Sequence, residues 1–524
     1  MKRTNASEDA RSCHDWRPHC ELAGADGVRP LRILQAGTIE TGGGAAAVAG
    51  NLLRGYRARG CEAWLAVGQK ASDDPRVFVI PDDDRAPYRK VGYVSLQRRL
   101  RRLASRSPGR GWGRLSRSLR FATHPQAFVE TSVGREDFEF PGTYGLLDLT
   151  PARPDIVHCH NLHGDYFDLR ALPWLSRQLP TMLTMHDAWL LGGHCAHSFD
   201  CERWKAGCGQ CPDLAIDPAI RRDATADNWA RKRNIYARSR LYIATPCQWL
   251  LGKVEQSILA PAIAEARVIP NGVDLSVFHP ADTRAARAAL DLPQDAHVVL
   301  VTTGSRGGMW RDHQTLRAAA GLIRTRGFGR DLLVVVLGGD ATVVRLDGNN
   351  VRAVGYEADP LTVARYYQAA DLYVHAARED TFPNTILEAL ACGTPVVATA
   401  VGGIPEQIRS TTLGVVRSGA LQELKRATGM VVPIGDAHAM AAAAVALLAN
   451  GDVRHLLARN AASDARARFD VNRQVECYLA WYRTIIGDSN GHAMPDPARD
   501  PARASGYTGV APDRGRSTSS RDPV

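Results

Sequence analysis

The 524-residue chain lacks any apolar run long enough to span a bilayer, so the sequence predicts no transmembrane helix. Its first twenty residues include acidic side chains and lack an apolar core, and we therefore expect a cytoplasmic protein without a signal peptide. In a reducing cytosol, the 11 cysteines are expected to be thiols or metal ligands rather than disulfides.

Acidic residues are missing from positions 85–128, although the net charge of the whole chain is only +10. The leucines at 96, 100 and 103 follow helical spacing, which predicts a basic amphipathic helix. A solvated surface insertion and a peripheral contact with an anionic membrane both remain open as interpretations. Nucleic acid is not expected, because aromatic residues are sparse here. The basic residues concerned are Arg98, Arg99, Arg101, Arg102, Arg106, Arg110, Arg114, Arg117 and Arg120.

Two series of short apolar runs alternate with helical patterns, one starting near Leu31 and the other near Ala296. Such alternation predicts an α/β fold with two Rossmann-like, doubly wound domains facing each other across a cleft. The predicted organisation is a flexible tail (1–29), a first domain (30–245), a second domain (246–470), a C-terminal helix that crosses back to the first domain (471–486) and a disordered tail (487–524). The first domain contains the basic insertion (85–128) and a cysteine-rich loop (194–212).

The segment from Asp380 to Glu388 combines a loop carboxylate with a second carboxylate about two helical turns further on. Asn384 or Thr385 is predicted to cap the helix between them, and the apolar spacing of the next residues is helical. Free N–H groups at a helix start suit a phosphate, and a carboxylate suits the vicinal hydroxyls of a ribose.

This segment resembles the E-x7-E motif of retaining glycosyltransferases of family 4, which have the GT-B fold. The resemblance implies that Glu388 holds the ribose of a nucleotide sugar and that Asp380 holds the donor sugar. Asp380 stands where the family usually has Glu, which shortens that side chain by one methylene group. The resemblance also assigns donor binding to Phe382, Pro383, Asn384 and Thr385, and to Gly402 and Gly403 as a second wall of the pocket.

Two further loops carry residues suited to a diphosphate. Gly43 and Gly44 lie between a predicted strand and helix, where backbone can approach an anion, and they resemble the family's glycine-rich loop. Arg306 and Arg311 follow the first strand of the second domain, where two cations can neutralise a leaving diphosphate. The family usually has Arg and Lys at this spacing.

Histidines end two predicted strands of the first domain. His186 follows a buried run, and at the carboxyl edge of a sheet it can contact a sugar hydroxyl. The stretch PDIVHCHNLHGDYFDL, followed by TMHDAW, resembles family 4 enzymes of the colanic-acid and exopolysaccharide type. That resemblance places His186 near the reacting carbon, with His160 and Asn161 on the acceptor side.

Four cysteines follow at C-x5-C-x6-C-x2-C spacing: Cys195, Cys201, Cys208 and Cys211. Four thiolates suit a structural, tetrahedral zinc ion, and free thiols are the alternative. No catalytic metal is expected, since two arginines and a helix start supply the positive field.

The resemblance implies an enzyme that transfers a sugar from a UDP- or GDP-sugar, with retention, to a saccharide or lipid-linked acceptor in exopolysaccharide, capsule or cell-surface glycan synthesis. Catalytic roles fall to His186, Arg306, Arg311 and Asp380. The alternatives are a non-catalytic, membrane-docked sugar-nucleotide binder and another GT-B enzyme, such as an epimerase or a phosphorylase. Association with the inner face of the cell membrane stays open, with the solvated insertion as its alternative.

Overall fold

The computed structural model describes residues 21–24, 27–81, 125–303, 310–328, 332–338 and 351–491. Two parallel sheets form separate α/β domains, which confirms the predicted pair of Rossmann-like domains. Arg306, most of the basic insertion and residues 492–524 lie outside the described residues. Among the described helices, none is long and apolar enough to cross a membrane.

The first domain begins with an antiparallel pair, β1 (Glu21–Gly24) and β2 (Gly27–Pro30), and then contains a seven-stranded sheet. The strands of this sheet are β3 (Arg32–Ile39), β4 (Glu62–Gln69), β5 (Val77–Val79), β6 (Ile156–His160), β7 (Thr181–Thr184), β8 (Leu241–Thr245) and β9 (Ile263–Val268). Their order in the sheet is β5-β4-β3-β6-β7-β8-β9. Its helices are α1 (Gly44–Ala58), α2 (Pro125–Ser132), α3 (Leu172–Gln178), α4 (Arg203–Ala206), α5 (Thr225–Tyr236) and α6 (Gln248–Glu255).

The second domain contains a six-stranded sheet. Its strands are β10 (His297–Thr302), β11 (Leu332–Leu337), β12 (Val351–Val354), β13 (Leu372–His375), β14 (Val396–Thr399) and β15 (Gly429–Val432). Their order in the sheet is β12-β11-β10-β13-β14-β15. The helices are α7 (Thr283–Ala289), α8 (His313–Ile323), α9 (Pro360–Ala369), α10 (Asn384–Ala391), α11 (Ile404–Gln407), α12 (Leu413–Ser418), α13 (Ala437–Ala449), α14 (Gly451–Arg468) and α15 (Val471–Gly491).

The central strands are buried on both faces, which explains their nearly continuous apolar sequences. Every residue of β8 and β11 is buried. Polar residues therefore accumulate where these strands end, and the loops at the carboxyl edges of the two sheets carry the predicted site residues.

Helix α15 packs against the first domain although it follows the second in sequence. Val475, Tyr478 and Tyr482 are fully buried with residues of α1 and β3. The Tyr482 hydroxyl lies 2.9 Å from that of Tyr56 on α1. This helix thus ties the end of the second domain to the first.

Three predicted boundaries are wrong. The first domain does not end at residue 245, because α6 follows and β9 pairs with β8. Strand β9 was missed because it is an edge strand with no fully buried residue. The segment 1–29, predicted to be a tail, contains β1 and most of β2, and α15 continues past the predicted end at 486.

Candidate active site

The glycine run and the start of α10 face each other across the cleft. Asn384 donates from Nδ2 to the Gly44 carbonyl at 3.3 Å, and Asn271 donates from Nδ2 to Asn384 Oδ1 at 3.1 Å. Gly42 and Gly43 have φ values of 91° and 122°, a conformation that favours glycine. Two segments predicted to bind the donor, one from each domain, therefore lie in contact.

Helix α10 begins at Asn384 with Pro383 at its N-cap, and no side chain caps it. The prediction that Asn384 or Thr385 caps this helix is wrong, because the Asn384 side chain bonds to the opposite domain instead. A helix N-terminus without a side-chain cap keeps N–H groups and a partial positive charge for an anion.

Glu388 lies on α10, where the Tyr367 hydroxyl donates to its Oε2 at 2.9 Å. Burial raises the pKa of Glu388 to about 7. A carboxylate that has so few partners is ready to accept hydrogen bonds from a vicinal diol.

Asp380 forms the centre of a charged cluster with Arg311 and His375. Its Oδ2 lies 3.8 Å from Arg311 Nη1 and 3.5 Å from His375 Nε2. Burial opposes ionisation of Asp380, but the hydrogen bond from His375 and the charge of Arg311 outweigh it and hold the pKa of Asp380 below its usual value. Asp380 and Arg311 are thus brought together, whereas Arg306 lies outside the described residues.

Gly402 and Gly403 support the backbone beneath Asp380. A Cβ atom at Gly402 would lie 1.8 Å from the Asp380 carbonyl oxygen, and one at Gly403 would lie 2.2 Å from the Thr381 oxygen. The Gly403 N–H donates to Thr381 O at 3.1 Å. These glycines, predicted as a wall of the donor pocket, allow the loop before α11 to pack against the acidic loop.

Contacts with the rest of the second domain also fix the loop before α10. Phe382 is buried, and its ring centroid lies 6.0 Å from that of Phe469. Gln407 donates from Nε2 to the Pro383 carbonyl at 3.0 Å. Because the Phe382 side chain packs against the protein, the segment Phe382–Pro383 can contact a ligand mainly through its backbone groups.

His186 lies just beyond the end of β7, and its Nε2 is 3.0 Å from His160 Nδ1. Burial lowers the pKa of His186 to about 4. His160, predicted on the acceptor side, is only 2% exposed and lies behind His186, so it would act through that ring. Asn161 adopts a φ of 22°, and its carbonyl accepts from the Tyr166 hydroxyl at 2.9 Å.

An ion pair orders the turn after His186. His163 donates from Nε2 to Asp187 Oδ2 at 2.8 Å, and the Trp189 N–H donates to Asp187 Oδ1 at 2.9 Å. Burial opposes protonation of His163, but the charge and hydrogen bond of Asp187 prevail and raise its pKa. Asp187 therefore faces His163 rather than the cleft.

The four cysteines of the predicted zinc site lie in one loop, and none of them is in a disulfide. Burial raises the pKa of Cys195 to about 12 and that of Cys208 to about 11. Over the described part of the chain, no group of three or more His, Cys, Asp or Glu side chains is arranged to hold a metal ion. Zinc therefore stays a prediction.

Outside this loop, Cys61 is disulfide-bonded, which departs from the expectation that the cysteines are thiols or metal ligands.

Sequence reasoning missed His375 and two contacts between the domains. His375 ends β13 and is fully buried, and its Nδ1 lies 3.0 Å from the Tyr373 hydroxyl. His375 could have been found from the sequence, because it is the polar residue that ends the apolar run of β13.

The two contacts between the domains are made by acidic side chains of the second domain. Lys253 of α6 donates to Glu379 at 3.1 Å. Glu406 accepts from the Gln248 and Trp249 N–H groups at 2.8 Å each. The contacts between the domains have no signal in the local sequence.

Two facing Rossmann-like domains with their polar loops in one cleft define the GT-B class of fold. Residues 135–277 match the family model for Glycosyltransferase Family 4, and residues 297–450 match that for Glycosyl transferases group 1. The chain thus carries glycosyltransferase domains of the group 1 and family 4 type.

Curated relatives agree with this assignment. A D-inositol 3-phosphate glycosyltransferase from Saccharomonospora viridis is 32% identical over 241 residues, which are 44% of this chain and 52% of the relative. WcaC of Escherichia coli, a candidate colanic acid biosynthesis glycosyl transferase, is 26% identical over 264 residues, which are 47% of this chain and 60% of the relative. The chain therefore spans little more than half the length of these curated relatives.

HepE from Anabaena, solved in complex with UDP, shares the fold with a TM-score of 0.52 at 17% identity, covering 86% of this chain and 100% of HepE.

Proposed function

We propose that the protein transfers a sugar, with retention of anomeric configuration, from a nucleotide diphosphate donor to a hydroxyl of a saccharide or lipid-linked acceptor. The observation that carries this proposal is the contact of Asn384 with Gly44, which brings an N-terminus without a side-chain cap against a glycine loop of the other domain. A diphosphate fits between such elements, because both offer backbone N–H groups.

Glu388 would accept the ribose hydroxyls, and Asp380 would accept a hydroxyl of the donor sugar. Arg311 would stabilise the diphosphate as charge develops on it, together with Arg306 and the start of α10. His186 would contact the sugar near the reacting carbon.

The reaction would proceed on one face of the sugar. The bond between the anomeric carbon and the diphosphate oxygen breaks, and the acceptor oxygen bonds to that carbon from the same side. The acceptor proton passes to the departing phosphate oxygen, so no covalent protein nucleophile is needed. We expect transfer to persist in a chelator, because Arg311 and the helix start supply positive charge.

The donor is proposed from the likeness to HepE, and the pathway from the likeness to WcaC. HepE was solved with UDP, which favours testing UDP-sugars before GDP-sugars. The likeness to WcaC favours an acceptor in exopolysaccharide, capsule or cell-surface glycan synthesis at the inner face of the membrane.

Two further experiments test the membrane contact and the zinc site. Flotation with vesicles of anionic and of neutral lipid tests the membrane contact. Elemental analysis should find about one zinc per chain if the cysteine loop binds it.

The direct test incubates the protein with labelled UDP- and GDP-sugars and an extract of lipid-linked acceptors. We expect label in the acceptor fraction with one class of donor. Donor binding without transfer, for both classes, would instead indicate a non-catalytic sugar-nucleotide binder.

A further inference from the structure

A row of buried polar side chains lies behind His186. Gln35 of β3 is fully buried, and His160, at the end of β6, is 2% exposed. His160 Nε2 lies 3.0 Å from Gln35 Oε1, and His160 Nδ1 lies 3.0 Å from His186 Nε2. The three side chains come from neighbouring strands or the loop just beyond one, so the sheet itself sets their spacing.

The direction of each hydrogen bond in this row is determined from its buried end. Gln35 donates from Nε2 to the Ala49 carbonyl of α1 at 3.2 Å, so its amide oxygen must face His160. An amide oxygen only accepts, and therefore His160 Nε2 carries a proton. A neutral imidazole has one N–H, so His160 Nδ1 accepts and His186 Nε2 donates to it.

Both rings are neutral at ordinary pH. Burial lowers the pKa of His186 to about 4, and burial lowers that of His160 well below its usual value. The ring of His158 contacts that of His160 in a tilted arrangement, with centroids 4.2 Å apart, and burial lowers the pKa of His158 to about 3. The nearest acidic group in sequence, Asp187, is bonded to His163 instead.

We infer that Gln35 and His160 are positioning residues that hold His186 as the Nε2–H tautomer, so that its Nδ1 can only accept a hydrogen bond from a substrate hydroxyl. No described residue bonds to His186 Nδ1, and His186 is partly exposed. The inference rests on the proposed function for the nature of the substrate, a sugar, but not for the tautomer.

An acceptor at this position determines which sugars are tolerated. A hydroxyl donates to Nδ1, whereas hydrogen or fluorine at the same carbon cannot. Deoxy and deoxyfluoro versions of the accepted donor sugar should therefore both be poor substrates at that one carbon. A histidine that donated from Nδ1 would tolerate fluorine better than hydrogen, because fluorine can accept weakly.

The tautomer is measured in the full chain without substrate, by nitrogen NMR of the protein labelled with ¹⁵N-histidine. Signals are assigned by comparison with His186→Gln and His160→Gln. We expect protonated Nε2 and unprotonated Nδ1 in both histidines. A protonated Nδ1 in His186 would overturn the inference, whatever the protein transfers.

Two variants of Gln35 separate positioning from packing. Gln35→Met removes the acceptor at nearly constant length and should give mixed tautomers of His160 and His186. Gln35→Glu, with its carboxyl group kept protonated by burial, can donate to the Ala49 carbonyl and accept from His160 Nε2, so it should preserve the wild-type nitrogen pattern. With an active donor, Gln35→Met should lower kcat about tenfold, the value of one hydrogen bond, while the affinity for the free nucleoside diphosphate is unchanged.

An unaltered nitrogen pattern in Gln35→Met would refute the role of Gln35. If that variant does not fold, the wild-type spectrum still decides the tautomer. Loss of sugar transfer in every assay, with the expected tautomers, would refute the proposed function and leave the tautomer assignment standing.

Discussion

At the scale of single residues, the two carboxylates of the acidic segment have opposite electrostatic surroundings. Asp380 lies beside Arg311 and His375, which keep its pKa low, whereas burial raises the pKa of Glu388 to about 7. Glu379, the other acidic residue near the motif, bonds to Lys253 of the first domain. Asp380, not Glu379, is therefore the acidic group of this loop that lies beside Arg311 and His375.

Binding of a nucleotide sugar should strengthen as pH rises through 7. Ribose hydroxyls donate to the ionised form of Glu388, and at about pH 6 only about a tenth of a group with this pKa is ionised. Affinity measured by calorimetry should thus be about tenfold lower at pH 6 than at pH 8. The diphosphate of a nucleotide sugar does not titrate in this range, so it does not obscure the effect.

Glu388→Gln serves as the matched variant for this measurement. It should bind the donor more weakly than the wild type at pH 8, and its affinity should no longer vary between the two pH values. An affinity equal to the wild type would remove Glu388 from the ribose site.

At the scale of elements, the sequence was informative where one strand or helix determines its own structure. Buried strands such as β8 and β11 were predicted closely because their runs are apolar throughout. Edge strand β9 was missed, since none of its residues is fully buried and its sequence lacks a continuous apolar run. The cap of α10 was mispredicted because Asn384 bonds across the cleft, a contact that local sequence does not encode.

Gly402→Ala should displace the loop that carries Asp380. The added Cβ would lie 1.8 Å from the Asp380 carbonyl oxygen, and φ at this position is +56°. We expect loss of sugar transfer by about a hundredfold, the scale found when a catalytic group is misplaced by about 1 Å, with nucleoside diphosphate affinity retained.

Gly414→Ala is the control for this change. A Cβ there has no neighbour closer than 4.0 Å, and the residue lies in helix α12, where alanine is favoured. Equal activity of the two alanine variants would show that the close packing at Gly402 does not position Asp380.

At the scale of the whole molecule, carboxylates of the second domain hold helix α6 of the first. Glu406 caps the start of α6, and Glu379 pairs with Lys253 on the same helix. Helix α15 provides a third connection through Tyr482 and Tyr56. The return of the C-terminal helix to the first domain was predicted. The two carboxylate contacts were not predictable, because each joins residues more than a hundred positions apart.

Glu406→Ala should loosen the arrangement of the domains without unfolding either one. Loss of a helix cap costs about 1 kcal/mol. Small-angle scattering should show a larger radius of gyration, and transfer should slow. Asp436→Ala removes a cap within the second domain, where its side chain accepts from Ala439 N at 2.8 Å. That control should lower stability and leave the radius of gyration unchanged; a change in both variants would contradict the role of Glu406.

We propose that sugar transfer in this cleft retains the anomeric configuration. Proton NMR of the anomeric centre in the product tests this, using a pure nucleotide sugar and a defined acceptor, for the wild type and Arg311→Met. We expect a product with the configuration of the donor, formed about a hundredfold more slowly by the variant. An inverted product, or a variant as fast as the wild type, would contradict it.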